Sequence, residues 1–182
     1  MNQKSIDGLA IVPGPNLSYL TGSEFHLSER PVVLFVRQKD AIFVLPELES
    51  PKIADLDIDF ISYDDRDGPG PAFAQFSKNH KFSGLGVESR LIRHLELNLI
   101  SSYNISSDII DATDLFAELR MSKSKLEIDH MTKAVETAER SLVSVLDKMR
   151  PGITEKQFAA ELVIQLLQNG SDTRLPFSPI VA

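Results

Sequence analysis

Two apolar stripes at helical spacing near the C-terminus constrain the fold of this chain more than any other feature. Their residues recur at intervals of three or four positions, which predicts two amphipathic helices. Burying one large aliphatic side chain contributes about 1.5–3 kcal/mol, so the two stripes together favour burial by roughly 15–30 kcal/mol. We therefore expect other protein to cover them. The first stripe is Ile128, Met131, Val135, Ala138, Leu142, Val145 and Met149, and the second is Phe158, Leu162, Val163, Leu166 and Leu167.

Three ways of covering these stripes are open. The helices can pack on each other or on the preceding domain, they can form a coiled coil, or they can belong to a second domain whose sheet lies beyond residue 182. Pro151 interrupts the repeat after little more than three heptads, which disfavours a coiled coil. Residues 175–182 are an apolar run that predicts the start of a buried strand. We therefore expect the chain to be part of a larger protein.

The ends of the two helices are marked in the sequence. The sequence predicts capping boxes that begin at Ser124 and at Thr154. In a capping box, two side chains bind the first free backbone N–H groups of a helix. Pro151-Gly152 ends the first helix, and Gly170 follows the end of the second.

Residues 8–111 alternate between short apolar strands and helical segments. This alternation predicts an α/β domain, with a mixed sheet and helices on its faces. The three polar residues 38–40 predict a hairpin between two of the strands. Predicted strands cover residues 8–13, 32–37, 41–45, 60–63, 84–88 and 109–110, and predicted helices cover residues 16–20, 46–54, 72–79, 91–101 and 115–119.

Charge and composition exclude several classes of protein. The chain carries 26 acidic and 19 basic residues and contains no cysteine. An acidic chain without a concentrated basic patch is not typical of nucleic-acid-binding proteins. The lack of cysteine excludes disulfides and thiolate metal sites and fits a reducing cytoplasm. No apolar run approaches the roughly 18 residues of a membrane span, so we expect a cytoplasmic protein that binds neither nucleic acid nor membrane.

Four separated motifs resemble those of one family. They are Asn16-Leu-Ser-Tyr-Leu-Thr-Gly22; Gly86-Val-Glu88 at the end of a strand; Leu119-Arg-Met-Ser-Lys123-Ser followed by Glu127; and Arg150-Pro-Gly-Ile-Thr-Glu155 followed by Gly170 and by Pro176-Phe-Ser-Pro-Ile-Val-Ala182. Each motif is weak alone, but in this order they span nearly the whole chain. Together they resemble the creatinase/prolidase metallopeptidases, which include the Xaa-Pro aminopeptidases and Xaa-Pro dipeptidases.

The resemblance implies a division into two domains. Residues 1–120 are similar to the N-terminal α/β domain of the family, which has a ribonuclease H-like topology. Residues 121–182 are similar to the start of the α+β "pita-bread" catalytic domain, which would be truncated here after two amphipathic helices and the start of a strand.

The resemblance also implies a chemistry. Family members bind two divalent metal ions through two aspartates, a histidine and two glutamates, a ligand set suited to manganese, cobalt or zinc. A metal-bridging hydroxide attacks the carbonyl of the bond that precedes proline. All five ligands are expected after Ala182, so we expect no catalytic residue and no metal ligand in this chain, and no activity of the chain alone.

The function implied is that of a non-catalytic N-terminal portion of a cytoplasmic Xaa-Pro peptidase that acts on short proline-containing peptides. Its role would be dimerisation and fencing of the active site, that is, restriction of the active-site entrance to short peptides. Its partners would be a second copy of the chain and the missing catalytic domain. A stand-alone α/β association module that has lost the catalytic half is the alternative.

One polar loop, residues 23–31, is the candidate binding site. In dimeric members of the family this loop approaches the active site of the partner subunit, so the resemblance implies that His26 and Arg30 lie at its mouth. An imidazole or guanidinium there can contact the carboxylate of a dipeptide. The alternative is a surface loop in which Glu29 and Arg30 pair with nearby charges.

Other chemistry-bearing residues have plainer interpretations. The acidic cluster lacks the spacing of a calcium loop and predicts a solvated turn, and the isolated histidines are expected at the surface. A nuclease-like set of three carboxylates around magnesium is disfavoured by the acidic charge of the chain. The acidic cluster is Asp64, Asp65 and Asp67; the histidines are His80, His94 and His130; the carboxylates are Asp7, Glu88 and Asp111.

Overall fold

Six short strands from the first 120 residues form one mixed sheet in the computed structural model, which describes residues 6–181. The strands lie in the order β4-β3-β2-β1-β5-β6. β1 pairs antiparallel with β2, and β2 with β3, whereas the other three pairs are parallel. The predicted mixed sheet and hairpin are confirmed. The strands are β1 (Gly8–Ile11), β2 (Val33–Val36), β3 (Ala41–Pro46), β4 (Asp59–Tyr63), β5 (Leu85–Val87) and β6 (Ile109–Asp111).

Four α-helices and a 3-10 helix accompany the sheet. The central strands are apolar at consecutive positions because both faces of the sheet are covered. On β2, Val33 and Phe35 join a cluster that includes Phe76, whereas Leu34 points to the other cluster, which includes Leu17 and Phe116. The helices are α1 (Pro15–Thr21), α2 (Gly70–Asn79), α3 (His94–Ser102) and α4 (Thr113–Met121), and the 3-10 helix is Glu47–Ile53.

Two of the predicted helices differ from those observed. Residues 46–54 form a 3-10 helix because Pro51, inside the segment, has no N–H group for an α-helical hydrogen bond. The helix predicted from residue 91 begins at His94, since the N–H groups of Leu91 and Ile92 both bind the carbonyl of Glu88 in a turn.

The chain divides into two compact units, Met1–Arg120 and Met121–Ala182. The second unit is a pair of helices, α5 (Lys125–Leu146) and α6 (Glu155–Gln168), and both predicted capping boxes are formed. Asn169, at the end of α6, joins the two helices by donating from Nδ2 to the hydroxyl of Ser141 in α5 at 3.1 Å. The helices therefore pack on each other as a hairpin, which was one of the predicted arrangements.

Much of the predicted apolar stripe of α5 is exposed. Val145 is buried in this hairpin, as is Phe158 of α6. Ile128, Met131, Val135, Leu142 and Met149 are exposed.

The strand predicted in residues 175–182 is not formed over residues 175–181, and Ala182 lies outside the described residues. Pro176 and Pro179 remove two of the N–H donors that a strand would need. None of the helices within residues 6–181 has the length and hydrophobicity to span a bilayer.

Candidate functional site

Residues 22–32, the α1–β2 loop, contain the two residues predicted to bind substrate. Gly22 begins the loop in the left-handed region (φ 71°), where glycine adopts the conformation that ends α1 without a steric penalty. His26 and Leu27 form the apex of the loop and are exposed, Leu27 to 47%. The residues on either side of the apex are fixed to the sheet and to neighbouring helices.

Before the apex, the loop is fixed by an aromatic side chain and a hydrogen bond. Phe25 is buried, with its ring centroid 5.8 Å from that of Phe43. The ammonium group of Lys52 lies 5.3 Å from the centre of the Phe25 ring, within the range of a cation–π contact. The Ser23 hydroxyl also donates to the Lys52 carbonyl at 2.8 Å.

After the apex, the loop contacts the end of β4. Arg30 donates two hydrogen bonds to Asp65, from Nε at 2.6 Å and from Nη2 at 2.7 Å, and a third to Glu29. The bonds from Arg30 lower the pKa of the Asp65 carboxyl. The buried Tyr63 hydroxyl donates to the Pro31 carbonyl at 2.7 Å, and burial raises the pKa of Tyr63, so this donor stays protonated at neutral pH.

A third contact reaches the loop from α3. The guanidinium of Arg93 donates from Nη1 to the carbonyl of Ser28 at 2.5 Å. The same group also pairs with Glu96, whose side chain is fully buried. The loop is therefore fixed at several points that surround the exposed apex.

The structure places His26 and Arg30 on one loop but does not join them. No hydrogen bond or ion pair connects the two side chains within the part of the chain that is described. Three of the five N–H donors of Arg30 are used by Asp65 and Glu29, so two point elsewhere. Arg30 can bind a further anion only through these two donors, or by exchanging a carboxylate that it already binds.

Three motif residues that are far apart in the chain meet in a second cluster. Asn16 of α1 donates from Nδ2 to Glu88 at 2.5 Å and accepts a hydrogen bond from Arg120 of α4 at 3.0 Å. Arg120 also lies over the ring of Tyr19, 5.5 Å from its centre. Sequence reasoning identified these residues in separate motifs and missed their contact. The parallel pairing of β1 with β5 explains it, because Asn16 and Glu88 follow strands whose carboxyl ends lie at the same edge of the sheet.

Glu88 is the most unusual ionisable group in this cluster. It is 5% exposed, and its second carboxylate oxygen, Oε2, is buried without a hydrogen-bond partner among residues 6–181. Burial raises the pKa of Glu88, while the hydrogen bond from Asn16 and the charge of Arg120 act in the opposite direction. Gly86, two residues earlier, is closely packed, since a Cβ there would lie 2.7 Å from a methyl group of Leu9 and 3.0 Å from the Cβ of Ala112.

The three carboxylates considered for a nuclease-like site do not gather. Asp7 precedes β1 and accepts hydrogen bonds from the N–H groups of Ser83 and Gly84. Glu88 follows β5 and Asp111 is the last residue of the parallel strand β6, so both lie at the opposite edge of the sheet. Asp111 caps α4 by accepting from the N–H of Thr113 and from its hydroxyl.

The residues described do not fit the two divalent metal ions that the family resemblance implies. Between residues 6 and 181, no three histidine, aspartate or glutamate side chains lie close enough together to bind a metal. In the acidic turn, Asp64 accepts from the N–H groups of Arg66 and Asp67, and Asp65 binds Arg30. These bonds occupy the carboxylates as turn caps and ion-pair partners.

His80 differs from the surface position predicted for it. Its ring stacks on Phe76, with centroids 4.8 Å apart, and its Nδ1 is buried without a hydrogen-bond partner in the described chain. Burial, with a further effect from the charge of Arg37, lowers its pKa. The polar neighbours in the sequence suggested exposure, but α2 ends here and the ring lies back on the helix. His26, His94 and His130 are exposed.

Comparisons with known proteins agree with the fold and the motifs. Residues 1–122 match the family model of the Creatinase/Prolidase N-terminal domain. The Xaa-Pro dipeptidase of Pyrococcus horikoshii is 24% identical over 100% of this chain and 49% of its own length. The crystal structure of dipeptidase PepE from Mycobacterium ulcerans matches 91% of this chain and 45% of its own, with a TM-score of 0.74 and 27% identity.

A further solved structure supports the fold alone. Recombinant prolidase from Thermococcus sibiricus, 21% identical, covers 98% of this chain and 49% of its own with a TM-score of 0.85. The chain spans about half the length of these relatives. The match over residues 1–122 is supported by the sheet topology and by the convergence of the motif residues. The chain therefore belongs to the creatinase/prolidase family, whose N-terminal domain it contains.

Proposed function

We propose that this chain is the non-catalytic N-terminal portion of a cytoplasmic Xaa-Pro peptidase, in which residues 121–182 begin the catalytic domain. The observation that carries this proposal is the match of residues 1–122 to the N-terminal domain of the family. Relatives named as dipeptidases are about twice as long as the segment they share with this chain, which is consistent with a catalytic half that follows it.

The α1–β2 loop has the properties of a recognition element in such an enzyme. Its apex is exposed while its flanks are fixed, so His26 can meet a ligand at little cost in conformational entropy. The two remaining N–H donors of Arg30 suit a carboxylate. In a homodimer, this loop would lie at the entrance of the partner's active site and would bind the carboxylate end of a short proline-containing peptide.

The metal chemistry belongs to the complete enzyme in this proposal. Two divalent ions, manganese, cobalt or zinc, would be bound by residues outside those described here, and this chain would contribute dimerisation and fencing of the active site. The chain's own part in catalysis is therefore to bind and orient the peptide.

Kinetics test both parts of this function. Residues 1–182 with manganese and a Gly-Pro dipeptide should give no turnover above the blank. In a complete enzyme that carries this segment, His26→Ala should raise KM about tenfold and leave kcat nearly unchanged, because a hydrogen bond to a charged group contributes about 1.5 kcal/mol. His94→Ala, which changes an exposed histidine on α3, is the matched control.

Each outcome has a clear meaning. Hydrolysis by residues 1–182 alone would show that the chain is catalytic. Unchanged KM and kcat in the His26→Ala enzyme would remove His26 from peptide recognition. A monomer in sedimentation equilibrium would contradict the homodimer.

A further inference from the structure

Arg93 fixes the α1–β2 loop from another part of the chain. It is the N-cap of α3, and its Nη1 donates to the carbonyl of Ser28, 65 residues earlier in the sequence. Its Nε and Nη2 groups donate to the carboxylate of Glu96. The planar guanidinium therefore binds the loop with one group and α3 with the others, a geometry that a flexible ammonium group does not reproduce.

The orientation of Arg93 depends on Glu96. The Glu96 side chain is 0% exposed, and its Oε2 also accepts the backbone N–H of Arg93 at 3.0 Å. A buried carboxylate without its cation is strongly unfavourable. The guanidinium is therefore confined beside Glu96, and this places Nη1 at the carbonyl of Ser28.

A second arginine pair, Arg30–Asp65, differs from Arg93–Glu96 in its carboxylate. The two arginine side chains are similarly exposed, 37% for Arg30 and 31% for Arg93, but Asp65 is 61% exposed whereas Glu96 is 0% exposed. Solvent screens such pairs, and they contribute little to the order of a segment. Of the two pairs, Arg93–Glu96 is thus expected to dominate the conformation of the loop.

We propose that Arg93, held in place by Glu96, is a positioning residue that fixes the conformation of the α1–β2 loop and with it the direction of the His26 and Leu27 side chains. The importance of this for peptide recognition rests on the function proposed above. The positioning itself is a property of this chain and is measurable without substrate.

Amide hydrogen exchange of the 182-residue chain, followed by NMR, tests the proposal. Arg93→Met should speed the exchange of the Arg30 amide, which donates to the Ser28 hydroxyl at 3.1 Å, about tenfold or more, because opening of the loop breaks this hydrogen bond. The Cε1–H resonance of His26 should shift in the same variant. Asp65→Asn should speed the exchange of the same amide by less than about threefold.

Arg37→Met is the matched control. Arg37 makes an equivalent two-bond pair with Asp40, three residues away, and closes the turn between β2 and β3. Its loss should leave the exchange of the Arg30 amide and the His26 resonance unchanged. A similar change in both arginine variants would mean that general destabilisation, not positioning, explains the result and would overturn the proposal.

A double variant covers the case in which Arg93→Met does not fold. Arg93→Met with Glu96→Gln removes the buried charge, while the glutamine oxygen can still accept the backbone N–H at the start of α3. If this folded variant exchanges its Arg30 amide at the wild-type rate, Arg93 does not position the loop.

The outcome is separable from that of the proposed function. Faster loop exchange in the Arg93 variants, with unaltered peptide kinetics in a complete enzyme, would support positioning and contradict the recognition role. Unchanged loop exchange would overturn positioning whatever the kinetics show.

Discussion

At the scale of single residues, burial determines how Glu88 titrates. Its carboxylate accepts one hydrogen bond from Asn16 and is otherwise enclosed. Because burial raises its pKa, the folded state binds the proton more tightly than the unfolded state. The stabilising contribution is therefore complete below the ordinary value of 4.5 and is lost as the pH rises through the raised pKa.

Glu88→Gln should remove this dependence on pH. The free energy of unfolding of the variant, relative to wild type, should increase between about pH 4 and about pH 7, because the buried charge no longer forms. Urea unfolding at several pH values in this range measures the difference. If the free energies of unfolding of the two proteins change with pH in parallel, the prediction is contradicted.

Asp111→Asn is a control in which the pH dependence of stability should have the opposite sign. Hydrogen bonds from Thr113 and Ser89 lower the pKa of Asp111, so the wild-type carboxylate stabilises the fold above the ordinary value of 3.8 and loses this effect as the pH falls. The variant should therefore become less stable relative to wild type as the pH rises towards 3.8, and the difference should stay nearly constant over the range in which Glu88 titrates.

At the scale of elements, local chemistry explains which predictions succeed. The β2–β3 hairpin follows from three polar residues between apolar strands, and Arg37 pairs with Asp40 across that turn. The starts of α5 and α6 follow from capping side chains three residues apart. The start of α3 is different, because the carbonyl of Glu88, outside the helix, binds the N–H groups of Leu91 and Ile92 in a turn, and the helix begins only at His94.

Ser124→Ala should lower the free energy of unfolding of the α5–α6 hairpin by about 1 kcal/mol, because its hydroxyl accepts the N–H of Glu127 at the start of α5. Urea unfolding followed by the helical circular dichroism signal is the measurement. Ser144→Ala changes an exposed serine inside the same helix and should be neutral or slightly stabilising, since alanine favours helix. Equal losses in both variants would rule out a capping effect.

At the scale of the whole molecule, contacts between distant segments determine what sequence patterns do not show. The alternation of elements predicts a mixed sheet, but the strand order requires β1 to pair with β5, for example Gly8 with Leu85. The candidate site likewise depends on contacts between distant segments. The position of His26 and Arg30 on a loop is readable from the sequence, whereas Asp65 and Arg93 reach that loop only through the fold.

The phenylalanine cluster tests the packing of the first unit. Phe35 of β2 stacks on Phe76 at 4.2 Å between ring centroids and lies 6.1 Å from Phe82. Phe35→Ala should lower the free energy of unfolding by about 3–5 kcal/mol, because it leaves a cavity where strand and helix meet. Phe60→Ala, at a half-exposed ring on β4, should change it by less than about 0.5 kcal/mol in the same urea titration. Similar losses for both would contradict this assignment of the core.

Next to the apex of the α1–β2 loop, Arg93 and Tyr63 bind main-chain oxygens, those of Ser28 and Pro31, which a residue of any type supplies. Its two apical side chains can therefore be exchanged without loss of those particular bonds. Natural variation or laboratory selection can alter the chemistry displayed at this point while the scaffold beneath it is preserved.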